Sequence, residues 1–178
     1  MTLRHGAARF DQESIGQPLA DAIYRNTFGQ DIRIERNADV HLSHTLGVDV
    51  VITTPQGLRL LGQEKYLSHA YAKYRSLTVE YYQDASTGEE GNWFNLACQF
   101  YFVGYLNKDE TAFEPWVLAN WTEIVLATAK GRIHWKSNSN KDGQARASFR
   151  YTAMDRLPQR CVIATSKGVS DESLERPG

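Results

Sequence analysis

The sequence predicts a mixed α/β domain of the α+β kind, and three observations predict it. A helical stripe opens the chain, a series of short β-rich runs follows, and only one further helical stripe interrupts them, so there is no regular βα alternation. With 178 residues, 42% of them hydrophobic and 23% charged, the chain has the size and composition of one domain with its own buried core.

Taken in order, residues 1–12 carry no periodicity and are expected as a loose arm. Ile15, Leu19 and Ile23 recur at i, i+4 and i+8, which predicts a helix from about Ser14 to Asn26. Pro18 is expected in its first turn, where a missing N–H does no harm, and Gly29 as its C-terminal cap. Asp31 to Arg36 alternates with period two and predicts a strand; residues 37–46 are a connection.

Residues 47–66 are the most informative stretch. Two β-rich runs flank Thr54-Pro-Gln-Gly57, with Pro55 suited to the second position of a type I turn and Gly57 to the left-handed position after it. This predicts a hairpin with a three-residue loop and a G1 bulge. Thr54 then pairs with Leu58, Asp49 lies opposite Gln63, and Gly47 opposite Lys65.

Further strands are expected over Leu77–Tyr82, Gln99–Tyr105, about Arg132–Lys136, Ala145–Thr152 and Cys161–Ala164, the two before the last joined as a hairpin around Asp142-Gly143. Trp93 to Ala97 reads as one or two helical turns. Pro115 is expected to open a second full helix, Trp116 to Ala129. One domain over 1–169 and a frayed tail over 170–178 complete the prediction.

Composition narrows the function classes. No uninterrupted apolar run is long enough to span a bilayer, and the N-terminus leads into no apolar signal segment, so no membrane partner is expected. Two cysteines, Cys98 and Cys161, make neither a disulfide framework nor a four-ligand zinc site, and a reducing cytoplasmic setting is expected (the host cytoplasm for a phage-encoded protein). His41 and His44, three apart, are a minor zinc candidate. The sequence holds no G-x-S-x-G, Walker or G-x-G-x-x-G motif. Net charge is −1, but unevenly spread: residues 130–167 hold nine Lys/Arg against two Asp/Glu, and residues 1–129 hold ten against sixteen. A basic segment beside an acidic one suits a phosphate-binding face next to a metal-collecting site, or a solvated basic hairpin. Lys136, Arg146 and Arg150 are its candidate DNA contacts. Trp135, Phe149 and Tyr151 lie among them, as base-stacking or cross-strand aromatics. Tyr101, Tyr105, Trp116 and Trp121 read as core.

Chemistry is expected on the hairpin. Period-two alternation puts Asp49, Gln63 and Lys65 on one face and sends Glu64 to the other. A carboxylate, an amide oxygen and a lysine at one end of an apolar hairpin suit Mg²⁺ or Mn²⁺ and a phosphate, or else a salt-bridged hairpin end. Glu64 becomes the ligand in place of Gln63 only if the register slips by one residue. Ser68-His69, just after Lys65, are either DNA contacts or a polar strand exit.

These residues, Val48-Asp49 and Gln63-Glu64-Lys65 on consecutive hairpin strands after a helix and a strand, resemble the PD-(D/E)XK nuclease superfamily over roughly residues 11–106. The nearest likeness is to archaeal-type Holliday-junction resolvases. The resemblance implies a restriction-endonuclease-like central mixed sheet flanked by helices, with the late β-hairpin added. It implies Glu13 or Asp21 as a helix acid joining Asp49 at the metal, Arg36 as the strand-end arginine and Ser43 as the loop serine, both on DNA. Two features depart from the pattern. Val48 stands where many members have proline, and Gln63 stands where most have an acid, although some members use Q-x-K. The run from Glu80-Tyr-Tyr-Gln-Asp84 through Gly91-Asn-Trp-Phe94 to Gln99-Phe-Tyr-Phe also looks like phage-type nucleases of the superfamily. The implied protein is a Mg²⁺- or Mn²⁺-dependent endonuclease acting in DNA recombination. It would cut branched DNA as a homodimer and leave a 5′-phosphate. A sequence-specific or nicking nuclease, and a degenerate nuclease fold that only binds DNA or a protein, are the alternatives.

Overall fold

A long helix, a six-stranded sheet and a smaller four-stranded sheet are stacked so that the first sheet is covered on both faces. The computed structural model describes residues 4–36, 46–139 and 147–166, with side chains from residue 12 onward. In chain order these form α1 (Arg4–Phe28), β1 (Arg33–Arg36), β2 (Val50–Thr53), β3 (Arg59–Leu67), β4 (Ser76–Asp84), β5 (Glu89–Glu90), α2 (Asn92–Asn95), β6 (Phe100–Leu106), β7 (Phe113–Asn120), α3 (Trp121–Ala129), β8 (Lys136–Ser139), β9 (Ser148–Ala153) and β10 (Val162–Thr165). Short 3₁₀ turns at His69–Tyr74, Met154–Arg156 and Gln159–Cys161 link them. The fold is the expected mixture of α and β.

The large sheet runs β1-β2-β3-β6-β7-β10 and the small one β5-β4-β9-β8. Within them only β3 and β6 pair in parallel. A parallel neighbour needs a crossover connection, and here the crossover from β3 to β6 carries β4, β5 and α2. The sheet therefore has two different faces. Val50, Ile52, Phe100, Phe102 and Leu118 form one apolar cluster with Ala20 and Tyr24 of α1. Tyr101, Val103, Tyr105, Val117 and Ala119 form another with Leu77 and Val79 of β4 and Trp121 and Ile124 of α3.

The hairpin has the predicted register: Val50 opposite Gly62, Ile52 opposite Leu60, Thr53 opposite Arg59. Its loop closes by Thr54 N–H to Leu58 C=O and Gly57 N–H to Thr54 C=O, both 2.9 Å, with Gly57 at φ 82°. Gly47 departs from expectation. It turns left-handed at φ 58° before β2 begins, so it does not pair with Lys65.

Three other elements differ from the sequence reading. The backbone of α1 begins at Arg4, which leaves Pro18 in the helix interior instead of its first turn. Packing of Ala20 and Tyr24 on the sheet holds the helix across a residue that an isolated peptide would break at. Pro115 does not open a helix. It lies in β7, paired along β6, and α3 starts at Trp121, where the Asn120 side chain accepts from Glu123 N–H at 3.2 Å. The late strands are not an appended hairpin alone, since β9 also pairs with β4 to build the second sheet. The expected turn at Asp142-Gly143 and the tail over 170–178 lie outside the described residues.

Candidate functional site

Alternation along β3 divides its polar residues between two environments. Glu64 faces α1. Its carboxylate accepts from Arg36 at 2.8 and 2.9 Å and from the Tyr24 hydroxyl at 2.8 Å, and Arg36 also pairs with Asp21 at 2.6 Å. The Arg36 and Glu64 side chains are 13% and 6% exposed, so this is a buried ion pair joining α1, β1 and β3. Burial works against the Arg36 charge, but the hydrogen bond and charge of Glu64 outweigh it and hold the guanidinium firmly protonated. Burial first, and the Glu64 charge second, raise the Tyr24 hydroxyl far above its ordinary range. Arg36, expected on DNA, and Glu64, the alternative metal ligand, are thus joined to each other in a clamp across α1, β1 and β3.

Gln63 faces the second sheet. Its amide N–H donates to Asp49 Oδ2, as the register requires, and also lies 3.3 Å from the Glu64 carbonyl. Asp49 accepts a second bond from Glu64 N–H at 3.2 Å. The Gln63 side chain is 7% exposed, yet its Oε1 has no hydrogen-bond partner. Gly47 adjoins that oxygen: a Cβ there would stand 3.2 Å from Oε1. Only a glycine fits this left-handed turn without crowding the amide.

Lys65 shares the face. Its ammonium sits over the Phe149 ring of β9, 4.9 Å from the centroid, a cation–π contact that ties the hairpin to the second sheet. Beside Gln63, the paired residue on β6 is Tyr101, whose hydroxyl donates to the Thr78 carbonyl of β4 at 2.9 Å. Burial above all raises the Tyr101 phenol; the neighbouring Cys98 and the charges of Asp49 and Glu80 raise it further. The Cys98 thiol is pushed up to about 12, chiefly by burial, and is inert at neutral pH. Asp49, Gln63, Lys65 and Tyr101 thus line one neighbourhood, with Glu80 bordering it from β4. The sequence reading singled out neither Tyr101 nor Glu80 as members. The signal for both is strand pairing across long stretches of chain, which local periodicity does not carry.

The remaining expected residues are scattered. Glu13 and Asp21 lie on α1, on the far side of the sheet, and Asp21 is committed to Arg36. Among the described residues no three His, Cys, Asp or Glu side chains are grouped to hold a metal ion. Ser68 leads into the 3₁₀ turn at the exit of β3, without a side-chain capping bond. Lys136 lies opposite Tyr151 and Ser137 opposite Arg150, so Lys136 and Arg150 point to opposite faces of the small sheet. Arg150 stacks on Tyr81 at 3.9 Å and Trp93 at 4.7 Å. The two residues do not form one patch. Ser43, Arg146, His41 and His44 lie outside the described residues. Trp135 is a packing residue, edge-on to Trp93 and donating to Thr128 at 2.9 Å.

Two depressions of about 280 and 260 Å³ lie away from this neighbourhood, one at Arg75, Phe113 and Trp116, the other at Phe28, Gln99 and Asn120. No helix among the described residues is long and apolar enough to cross a membrane. Comparison with protein-family profiles, with curated proteins and with solved structures finds no match to the chain.

Proposed function

We propose that the chain is a metal-dependent DNA endonuclease that hydrolyses phosphodiester bonds, with a four-way junction as its preferred substrate and a homodimer as its working form. The observation that carries this reading is the buried Gln63 amide beside Asp49, with an oxygen that nothing satisfies. Leaving such an atom unpaired costs about 1–3 kcal/mol. The two ends of an amide exchange places by rotation about χ3, so Oε1 can be brought to the Asp49 side. Two oxygens facing each other there repel unless a cation lies between them. Asp49 and Gln63 Oε1 therefore fit Mg²⁺ or Mn²⁺ as oxygen ligands, although with one negative charge between them they would hold it weakly.

A divalent ion held there would polarise the phosphodiester and offset the charge that builds on it during in-line attack. Lys65, whose ammonium sits over Phe149, would orient the attacking water and balance charge on the phosphate. The neutral Gln63 also favours a second reading, a nuclease fold that binds DNA without cutting it.

Cleavage of plasmid, linear duplex, single strand and four-way junction in Mg²⁺ and in Mn²⁺ separates the two. Metal-dependent cutting that is lost in Asp49→Ala and in Lys65→Ala supports the nuclease. Junction binding without cutting in either metal establishes the second reading. Light scattering that shows a monomer at micromolar concentration removes the symmetric-resolvase form, since paired cuts need a two-fold dimer.

A further inference from the structure

The strand that carries Gln63 and Lys65 runs directly into a solvent-facing turn that the site does not use. From Lys65 to Val79 every charged residue is basic (Lys65, Lys73 and Arg75), and Tyr66, Tyr71 and Tyr74 lie between them. The 3₁₀ turn His69–Tyr74 holds no buried residue. Tyr71 is 55% exposed and Tyr74 61%. A 3₁₀ helix repeats every three residues, so positions 71 and 74 lie along one edge of the turn. Among the described residues neither ring packs on another aromatic ring. Tyr74 is met by the Lys73 ammonium, 5.1 Å from its centroid.

This exposure is built into the fold. Ala72 packs against the core, and Tyr71 N–H donates to the Ser68 carbonyl at 3.0 Å. The turn ends on Arg75, whose N–H reaches the Ala72 carbonyl at 3.3 Å and whose carbonyl accepts from Met154 N–H at 2.9 Å. The Tyr105 hydroxyl then fastens Ser76, donating to its carbonyl at 2.8 Å. Arg75 itself takes the left-handed region, φ 45° and ψ 44°. Glycine would sit there without cost, and an exposed residue kept in such a conformation points to a use for its side chain. Among the described residues neither Lys73 nor Arg75 pairs with an acid. Glu114 lines a depression together with Arg75 and is not bonded to it.

Exposed rings held in place beside unpaired cations fit a nucleic-acid strand whose bases are open. Every base offers a face to stack on, and every phosphate a charge for a cation. A second copy of the chain fits poorly, because a two-fold interface lays a patch against itself and sets cation against cation. The turn also lies near the site along the chain. Four residues of extended backbone lead from Lys65 to His69, about 13 Å, or about four base steps of one strand.

Resting on the nuclease reading above, we propose that Tyr71 and Tyr74 stack on bases left without a neighbour at a DNA branch, with Lys73 and Arg75 on the adjoining phosphates. The turn is then the surface by which the chain tells open DNA from plain duplex.

The test is fluorescence anisotropy of the full chain with a labelled single strand, a duplex and a four-way junction, in EDTA so that nothing is cut, run beside cleavage in Mg²⁺. Tyr71→Ala with Tyr74→Ala should weaken single-strand binding about tenfold or more and leave duplex binding unchanged. Tyr71→Phe with Tyr74→Phe keeps both rings and should bind like the parent. Lys73→Gln with Arg75→Gln should lower the log–log salt slope on single strand by about 1.4 units, the loss of two phosphate contacts. Arg75→Gly should bind more weakly yet melt no lower than the parent, since glycine relieves the left-handed backbone. Parental single-strand binding by the double alanine variant overturns the assignment and leaves the nuclease reading standing. An equal loss on single strand and duplex overturns the stacking role. Unchanged DNA binding, with a dimer turned to monomer in light scattering, also overturns it and marks the turn as a contact between copies. The expected losses in a parent that binds DNA but never cuts it uphold the turn and remove the nuclease. A parent that binds none of the three DNAs overturns both.

Discussion

Glu64 and Gln63 are neighbours in sequence with opposite duties, and the pleat of β3 is the reason. Glu64 accepts three hydrogen bonds in a place that is almost dry, whereas Gln63 turns to Asp49. Removing the charge from a buried pair leaves the partner uncompensated, at a cost of about 3–5 kcal/mol. Glu64→Gln is expected to lower stability by about 3 kcal/mol in urea unfolding, because Arg36 keeps only Asp21. It is expected to leave junction cleavage by the folded protein near the parental rate. A dead but fully stable Glu64→Gln would mean that the carboxylate belongs to the chemistry. At Gly47 the expectation is reversed: Gly47→Ala should cost about 1–2 kcal/mol through its left-handed backbone and should also impair metal uptake, since the new methyl abuts Gln63 Oε1 at 3.2 Å. Parental Mn²⁺ binding in Gly47→Ala would show that the cradle is not needed.

Among elements, the hairpin was the most legible and the second sheet the least. Proline and glycine at fixed turn positions, with period two on either side, determine which residue faces which, and the observed register follows from them. The end of α1 was equally open to reading, since Gly29 takes φ 112° and its N–H caps Arg25 C=O. The pairing of Glu80 with Phe149 has no local signal, and Pro115 sent the reading toward a helix because proline favours a helix start as well as a strand edge. The candidate site was legible to the extent that it lies on the hairpin: Asp49, Gln63 and Lys65. It was illegible where it depends on other strands, and the pairing of Asp21, one of the two expected helix acids, with Arg36 is something no spacing reveals. The small sheet also separates two basic residues that charge counting grouped together. Lys136→Ala should reduce the log–log salt slope of DNA binding by about one unit, the loss of one phosphate contact. Arg150→Ala should instead lower thermal stability, because it strips a guanidinium from Tyr81 and Trp93. Equal effects of the two on the slope would show that both reach DNA.

At the scale of the whole molecule, several buried acids are raised together. Cys98 stands at about 12, and Tyr24, Tyr66 and Tyr101 are raised well above 10, in each case by burial first. A raised pKa means that the folded state keeps a proton which the unfolded chain gives up. The stabilisation these groups contribute is complete below the ordinary values of about 9 for the thiol and 10 for the phenols, and is lost as pH rises toward the folded values. Melting temperature should hold level through neutral pH and fall steadily above about pH 9. Cys98→Ala should soften the first part of that fall, and an identical alkaline profile in the variant would show that the thiol takes no part.

The parallel pairing of β3 with β6 and the antiparallel pairing of β4 with a strand as late as β9 have a consequence for how the protein is made. A ribosome delivers the Asp49–Lys65 hairpin early. The ring that seats the lysine, Phe149, leaves the exit tunnel only after β8 and the residues beyond it have been synthesised. A nascent chain arrested anywhere before β9 would carry the acid, the amide and the lysine without the sheet that holds them together. Contacts between segments so distant in sequence close slowly, after the local ones. On the proposed nuclease reading, unfinished copies would leave the DNA around them uncut until β9 is made.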